Sequence, residues 1–279
     1  MFGANRSKMQ GVRPPAVAGL FYPDERTELR RMIDHFFEEV AEAGEGAAAK
    51  TPPKAIIAPH AGYRYSGPIA ASAFAPFRPI AERVKRVVLL GPSHRVAFHG
   101  LALPGADRFE TPLGHVELDL ETAESVLDMD QVRIDSAPHA QEHSLEVEVP
   151  FLLRALDSFR LVPLVVGFAS PEEVAEVLER LWGGDETRIV ISSDLSHFLD
   201  YEAARRIDRQ TAEAIVELRS DLGSKQACGA VPINGLTLTA RRKELEPRLL
   251  DLRNSGDTAG GYDQVVGYGA FSFTETQAS

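Results

Sequence analysis

The sequence predicts one α/β domain with three layers, in which helices cover both faces of a mixed, largely parallel sheet. Apolar runs typical of strands alternate with amphipathic helical runs through most of the 279 residues. Some strands follow one another without an intervening helix, which favours a mixed sheet. Apolar residues make up 44% of the chain and charged residues 25%, a balance that supports a sizeable core.

Periodicity and capping residues predict the individual elements. Asp24 is a candidate N-cap of the first helix. Ser170, with proline next and Glu173 at the third helical position, predicts a capped helix that ends near Trp182. An alanine-rich helix is predicted from Ile69 to Phe77, after a turn at 66–68. Further helices are expected at 120–129, 201–218 and 232–242, and further strands at 100–103, 113–118, 159–166, 249–252 and 265–273.

Composition bounds the partners and the compartment. The net charge of −11 argues against nucleic acid or an anionic membrane as the main partner, because both need a positive surface. No apolar run approaches the length of a membrane span. The lone cysteine, Cys228, cannot form an intramolecular disulfide, which fits a reducing cytoplasm. Residues 1–12 are predicted to be a flexible N-terminal arm without a secretory signal, and residues 13–279 a single domain.

Three apolar strands each end in a loop that carries a histidine. Pro59-His60 follows the first strand, Pro92-Ser93-His94 follows the second, and Asp194 with His197 follows the third. In an open α/β sheet, ligands and reacting groups collect beyond the carboxyl ends of the strands. Proline stiffens two of these strand ends, and a metal site needs ligands that are held in place. A functional site is therefore predicted at this edge.

His60 and His94 are predicted metal ligands, and Cys228 is the candidate third ligand because small residues flank it. Two imidazoles and a thiolate suit Fe(II), copper or zinc rather than magnesium or calcium. Ordinary mononuclear iron oxygenases use a carboxylate in place of the thiolate, so this set departs from that class. Each histidine taken alone also fits a hydrogen-bonded structural role, and a lone thiol also fits an inert core position.

Acid–base chemistry is predicted for the same edge. Asp194 lies three residues before His197, so it is a candidate to fix the tautomer of that imidazole and raise its pKa, with a helix or turn cap as the alternative. Glu142-His143 is predicted to open a helix. His143 is a further catalytic candidate and Glu142 a candidate substrate contact, against the alternative of a solvated first turn.

Two more residues are candidate substrate contacts. Tyr63 follows His60 and offers a hydroxyl or a stacking surface, although core packing explains it as well. Asp257 belongs to a polar turn at 254–257 that could line the cleft or be an ordinary turn. The histidines left without a predicted functional role are His35, His99, His115 and His139.

Together these segments resemble the Memo family, which includes the AmmeMemoRadiSam system protein B. The resemblance spans about Arg13 to Phe273 and depends on the combination of segments, since no single one is specific. The matching segments, in the family's order, are residues 57–63, 90–94, 142–146, 192–197 and 228–229.

The resemblance implies a fold like that of the class III extradiol dioxygenases, in which two histidines and a glutamate hold Fe(II). By this resemblance His60 and His94 match the two histidine ligands, and Cys228 takes the place of the glutamate. His197 matches the acid–base histidine and His143 is similar to the other active-site histidine. Family members are described as binding iron or copper and influencing redox state. In bacteria and archaea the family tends to occur with a radical-SAM protein, which implies a functional link.

Three functions are compatible with these residues. The first is an iron- or copper-dependent redox enzyme, similar to a dioxygenase, that acts on a small-molecule or peptide ligand in the metal cleft. The second is a non-catalytic binding module that uses the cleft for an anionic ligand, because the animal family member is described as binding a phosphotyrosine peptide there. The third is a zinc hydrolase in which Asp194 or Glu142 activates water; it ranks below the others because the resemblance implies redox metals.

Overall fold

The structure is a computed structural model that describes residues 9–43 and 51–276. Four parallel strands form the centre of the sheet, in the order β2 (Ala55–Ala58), β9 (Thr187–Ser192), β3 (Arg86–Pro92) and β8 (Arg160–Val166). On one side, antiparallel β12 (Val265–Glu275) pairs with β2, β10 (His197–Leu199) and β11 (Leu245–Asn254). On the other, β4 (Leu101–Leu103) runs antiparallel to β8 and parallel to β7 (Val132–Ile134). A small second sheet contains β1 (Val12–Arg13), β5 (Arg108–Thr111) and β6 (Gly114–Glu117).

Helices cover both faces of the large sheet. Along β3, Val87 and Leu89 belong to one hydrophobic core, whereas Val88 and Leu90 belong to the other, because successive strand side chains point to opposite faces. The three-layer prediction is thereby confirmed. The first core contains residues of α1 (Arg26–Glu42), α2 (Tyr63–Phe74) and α5 (Glu148–Ala155), and the second those of α3 (Leu120–Glu124), α6 (Pro171–Arg180), α7 (Tyr201–Val216) and α8 (Ala230–Arg242). The remaining helices of the described residues are the short α4 (Ala137–Ala140) and α9 (Ser255–Thr258) and a 3₁₀ helix at Ala75–Ile80.

The predicted turn at 66–68 is wrong, because α2 begins at Tyr63 and continues through Pro68. Gly67 is needed for close packing rather than for a turn. A Cβ atom at this position would lie 2.3 Å from the ring of Phe36 on α1. The helix starts three residues after His60, and its first turn lies beside the carboxyl end of β2.

Some other helix and strand boundaries differ from their predicted positions, and one is confirmed. The N-cap of α1 is Glu25 rather than Asp24, since the Glu25 carboxylate accepts the Glu28 N–H. The capping box that Ser170 and Glu173 were predicted to form at the start of α6 is confirmed. His197 lies on the short strand β10 rather than in a loop. The next residue, Phe198, has a left-handed φ of 57° at an irregularity in the pairing with β12, and its side chain is 68% exposed.

The predicted N-terminal arm is only partly described. Residues 1–8 lie outside the described residues. Met9 is 1% exposed and belongs to the second core, and Val12 begins β1, which pairs in parallel with β5. Residues 9–12 are therefore part of the fold, which corrects the arm prediction for this stretch. Within 9–43 and 51–276, no helix has the length and apolar character needed to cross a membrane.

Candidate metal centre

The predicted site lies where three neighbouring parallel strands end. β2 ends two residues before His60, β3 ends two residues before His94, and β9 ends two residues before Asp194. Because β9 lies between β2 and β3, their carboxyl ends meet at one edge of the sheet. The loop that carries His143 reaches the same edge, where the Ser144 hydroxyl donates to the Pro92 carbonyl at 2.8 Å.

Three imidazoles converge at this edge. His60, His94 and His143 each offer a ring nitrogen, and the three nitrogens lie within 4.8 Å of one another. The ring of His60 lies edge-on to His94 at 5.2 Å and to His143 at 5.3 Å, while His94 and His143 stack at 4.6 Å. His60 is 1% exposed, and the side chains of His94 and His143 are 28% and 16% exposed. The group is therefore shielded but reachable from solvent.

Each of these imidazoles has a polar group next to its Nδ1 atom. His60 Nδ1 lies 2.7 Å from the Ser192 hydroxyl, and His94 Nδ1 lies 2.8 Å from Glu142 Oε1. His143 Nδ1 lies 3.3 Å from the same carboxylate oxygen. A partner that accepts the Nδ1 hydrogen leaves the Nε2 lone pair free, and this is the usual arrangement around imidazole ligands of metal ions.

Glu142 and His143 lie in the loop between α4 and α5 rather than at the start of a helix, which corrects the prediction, and Glu142 organises this loop. Its carboxylate accepts the backbone N–H groups of His94 at 2.6 Å, His143 at 2.9 Å and Ser144 at 3.0 Å, besides the His94 ring. Burial acts to raise the pKa of Glu142, but the hydrogen bonds and charge of His94 and the bond from Ser144 outweigh it and lower this pKa to about 2. Glu142 is thus an ionised carboxylate that positions two of the three histidines.

Cys228 completes the group on the side of His60. Its Sγ atom lies 3.3 Å from His60 Nε2. The loop is held close to the sheet, since Cys228 N–H donates to the Asp194 carbonyl at 3.2 Å, and a Cβ atom on Gly229 would lie 2.6 Å from Ser193 Cβ. Burial raises the pKa of the Cys228 thiol to about 12, so the thiol is protonated at neutral pH in the absence of a cation.

Asp194 and His197 reach the site separately. Asp194 Oδ1 accepts the backbone N–H of His60 at 2.8 Å, and burial raises the pKa of this carboxyl to about 7. The ring of His197 instead bonds through Nδ1 to the Leu195 carbonyl at 2.8 Å. That carbonyl, rather than Asp194, fixes the tautomer, which corrects the predicted pairing and leaves Nε2 of His197 with its lone pair.

The imidazoles of His60, His143 and His197 are uncharged near neutral pH. Burial, and secondly the neighbouring imidazoles, hold the pKa of His60 well below its ordinary value. Burial is also the largest cause that lowers the pKa of His143 to about 4, and it lowers the pKa of His197. Neutral imidazoles keep the lone pair that a metal ion or a proton requires.

Comparison with known protein families shows to which family this chain belongs. A family model described as Memo-like protein matches residues 13–272. The chain belongs to the Memo family. A MEMO1 family protein of Aquifex aeolicus is 38% identical over 92% of this chain and 97% of its own length. Similar proteins of Aeropyrum pernix and Methanopyrus kandleri are 36% and 34% identical over 93% and 94% of this chain, with 98% of each relative covered.

In this Memo-family chain two predicted substrate contacts have structural partners. Tyr63 is 1% exposed, packs against Tyr22 and Phe151, and donates its hydroxyl hydrogen to the Val147 carbonyl at 2.7 Å. Asp257 accepts the Asn254 N–H at 2.9 Å in the capping box of α9, and it accepts the Tyr201 hydroxyl hydrogen at 2.5 Å. Tyr63 is thus a core residue, and in the described chain no hydrogen bond or ion pair joins Asp257 to the histidine group.

Several residues that shape the Memo-family site carry no local sequence signal of their role. The Phe21 ring lies 4.7 Å from that of His143, and Ser192 and Glu148 lie behind His60. Glu146 holds the residues before Phe21, because its carboxylate accepts the N–H groups of Ala16 and Val17. The available signal was a glutamate within an otherwise apolar stretch, as at 146 and 148, since a buried carboxyl needs a partner.

His139 has a structural role in this Memo-family fold. It is 3% exposed, and its Nε2–H donates to the Ala102 carbonyl at 2.8 Å. Burial is the main cause that lowers its pKa from 6.5 to about 4, although the bond to Ala102 acts in the opposite direction.

This buried imidazole predicts a pH-dependent stability. The unfolded chain binds a proton near pH 6.5 and the folded chain only near pH 4, so the contribution is complete above pH 6.5 and is lost as the pH falls towards 4. We expect the free energy of unfolding of wild type to fall by about 3 kcal/mol more than that of His139→Gln over this range. Urea titrations of both proteins measure the difference, in which other titrating groups cancel, and parallel curves would contradict the prediction.

Proposed function

We propose that this Memo-family protein binds one redox-active transition-metal ion, iron or copper, at the His60–His94–His143 group, with Cys228 as an additional donor. The observation that carries the proposal is the convergence of three shielded imidazoles within 4.8 Å. His60 and His94 also have Nδ1 partners that leave Nε2 free. A structural histidine needs one hydrogen-bond partner and gains nothing from two further imidazoles beside it.

The donor chemistry fits such an ion. Imidazole and thiolate are ligands of iron, copper and zinc, whereas magnesium and calcium require oxygen ligands. Burial raises the pKa of the Cys228 thiol to about 12, but a coordinated cation removes the proton of a thiol outright. When bound, iron or copper would supply one-electron chemistry towards oxygen or a substrate, as expected from the resemblance to extradiol dioxygenases.

The remaining residues have roles in moving and holding protons. His197, with Nδ1 committed to the Leu195 carbonyl and a lowered pKa, is a neutral base at pH 7 that accepts a substrate proton at Nε2. Glu142 and Asp194 act through the backbone and rings of His94 and His60 and keep these ligands in position. Phe21 limits the access of water to His143. The link to a radical-SAM protein stays a prediction.

A binding module for anions is less well supported. Lowered pKa values leave His60, His143 and His197 uncharged at pH 7, so these rings offer no positive charge to a phosphate or carboxylate. A zinc hydrolase that uses Glu142 as its base also loses support. Glu142, one of its two candidate bases, already accepts four N–H groups and has a pKa of about 2, so it is a weak base for water.

The test is metal content after purification without air, combined with visible spectra. We expect stoichiometric iron or copper and an absorption band from the thiolate that disappears in Cys228→Ser. Oxygen uptake with aromatic substrates should then depend on His197, and His197→Gln should lower it by about 10²–10⁴-fold, the usual range for general acid–base catalysis. If zinc, which gives no visible band, were the most tightly bound metal ion, the hydrolase would be favoured. Failure to bind any transition metal would leave the binding module.

A further inference from the structure

Behind His60, one hydroxyl group is shared by three partners. Ser192 Oγ lies 2.7 Å from His60 Nδ1, 2.6 Å from the Ser144 carbonyl oxygen and 2.7 Å from Glu148 Oε1. Both Ser192 and Glu148 are fully buried. All three distances are typical of good hydrogen bonds, so each contact requires one hydrogen between its two heavy atoms.

Counting hydrogens assigns the donors. A serine hydroxyl has one hydrogen to donate and two lone pairs that accept. The Ser144 carbonyl can only accept, so at 2.6 Å it takes the Ser192 hydrogen. The other two partners must then donate to Ser192 Oγ. His60 donates from Nδ1, and Glu148 donates from Oε1, which it can do only as a carboxylic acid.

The alternative leaves two oxygen atoms facing each other without a hydrogen. If Glu148 were ionised, the single Ser192 hydrogen would serve either the carboxylate or the Ser144 carbonyl, and the other contact, 2.6 or 2.7 Å long, would be repulsive. The second carboxyl oxygen, Glu148 Oε2, has no hydrogen-bond partner within the described chain. An unpaired carbonyl oxygen of a neutral acid costs far less in a buried site than an unpaired charge.

Electrostatics agree with this hydrogen count. Burial, with a smaller contribution from nearby Asp194, holds the pKa of Glu148 well above its ordinary value. No cation lies among its hydrogen-bond or ion-pair partners in the residues that the structure describes.

We propose that Glu148 is a positioning residue for the metal centre: a neutral carboxylic acid that, through Ser192, fixes His60 with its hydrogen on Nδ1 and its lone pair on Nε2. This inference rests on the proposed function, because the free Nε2 atom is the one that lies 3.3 Å from Cys228 Sγ. Glu148 touches neither substrate nor metal. It commits the most buried of the three imidazoles to one tautomer before any ion arrives.

The protonation of Glu148 is tested in metal-free protein at pH 7. Infrared difference spectra of wild type against Glu148→Gln should contain the carbonyl stretch of one protonated carboxyl group, and this band should shift when hydrogen is exchanged for deuterium. Carboxylate bands in its place would overturn the proposal. The outcome does not depend on metal binding, so it stands even if the proposed function fails.

The positioning role is tested by metal affinity, measured by competition with a chromophoric chelator. Ser192→Ala and Glu148→Leu should weaken binding by about 10–100-fold, the usual cost of losing an outer-shell partner. Glu148→Gln keeps an N–H donor and should stay within about threefold of wild type. Ser72→Ala, which removes a buried hydroxyl on α2 that bonds Pro68 and Asp251, is the matched control. Wild-type affinity in Ser192→Ala would refute the proposal, whereas a wild type without affinity would refute only the proposed function.

Discussion

Replacing His60 with alanine is expected to abolish transition-metal binding. His60 is the most buried of the three imidazoles and its Nε2 lies 3.3 Å from Cys228 Sγ, so its loss removes the donor that joins the thiol to the other imidazoles. We expect the affinity to fall by more than about 100-fold, since the loss of an outer-shell partner alone costs 10–100-fold. Elemental analysis of protein purified without air, followed by chelator competition, measures the effect.

The matched control is His35→Ala, which removes a histidine from the surface of α1, where its side chain is 64% exposed. This variant should bind metal as wild type does. Thermal unfolding of metal-free His60→Ala separates a lost ligand from a lost fold. If a folded His60→Ala protein retained stoichiometric iron or copper, the assignment of the metal centre would be wrong.

The same assay distinguishes two candidates for the third ligand. The donor groups around His60 include Cys228, whose Sγ lies 3.3 Å from His60 Nε2, and His143, whose ring centroid lies 5.3 Å from that of His60. If the thiolate is a ligand, Cys228→Ser should weaken binding and remove the visible band. If His143 is also a ligand, His143→Ala should weaken binding while the band stays. An effect of His143→Ala alone would make Cys228 a neighbour of the site rather than a ligand.

Replacing Glu146 with alanine is expected to have the largest effect on stability. Glu146 is 1% exposed, and its carboxylate accepts hydrogen bonds from the Arg13 guanidinium, the Tyr22 hydroxyl and two backbone N–H groups. The substitution leaves Arg13, which is 6% exposed, without its counter-charge. Breaking a buried ion pair in this way costs about 3–5 kcal/mol. Urea unfolding monitored by fluorescence measures the loss.

Two further variants define the origin of that loss. Glu38→Ala removes an exposed carboxylate from α1 and should change the free energy of unfolding by less than about 0.5 kcal/mol. Glu146→Gln keeps an acceptor but not the charge, so its stability should lie between those of wild type and Glu146→Ala. A Glu146→Ala protein as stable as the Glu38→Ala control would show that the buried pair is unimportant.

The sequence was sufficient for the parts of the site that depend on local signals. Proline at the ends of two apolar strands located His60 and His94, and alternation of strands and helices located the edge where they meet. The β3 strand illustrates why the layers were predictable. Its run of apolar residues has no polar face, which requires helices on both sides.

Tertiary pairings could not be predicted in this way. Ser192 ends β9 and Glu148 begins α5, and neither residue has a local feature that points to the other or to His60. Tyr63 and Asp257 show the opposite case. Their side chains suit a substrate, but packing against Phe151 and a capping bond to Asn254 account for them. Chemical type alone therefore separates candidates poorly, because the same hydroxyl or carboxyl group can serve either purpose.

The strand order also determines when the metal centre can form during synthesis. β2, which precedes His60, is flanked in the sheet by β9 and β12. It can therefore pair with its neighbours only after residues 187–192 and 265–275 have left the ribosome. Cys228 also lies far along the chain. Such long-range pairings form late, because the chain loses entropy in closing large loops before the contacts between the strands stabilise it. The proposed metal site is therefore expected to form only after the chain up to β12 has been synthesised.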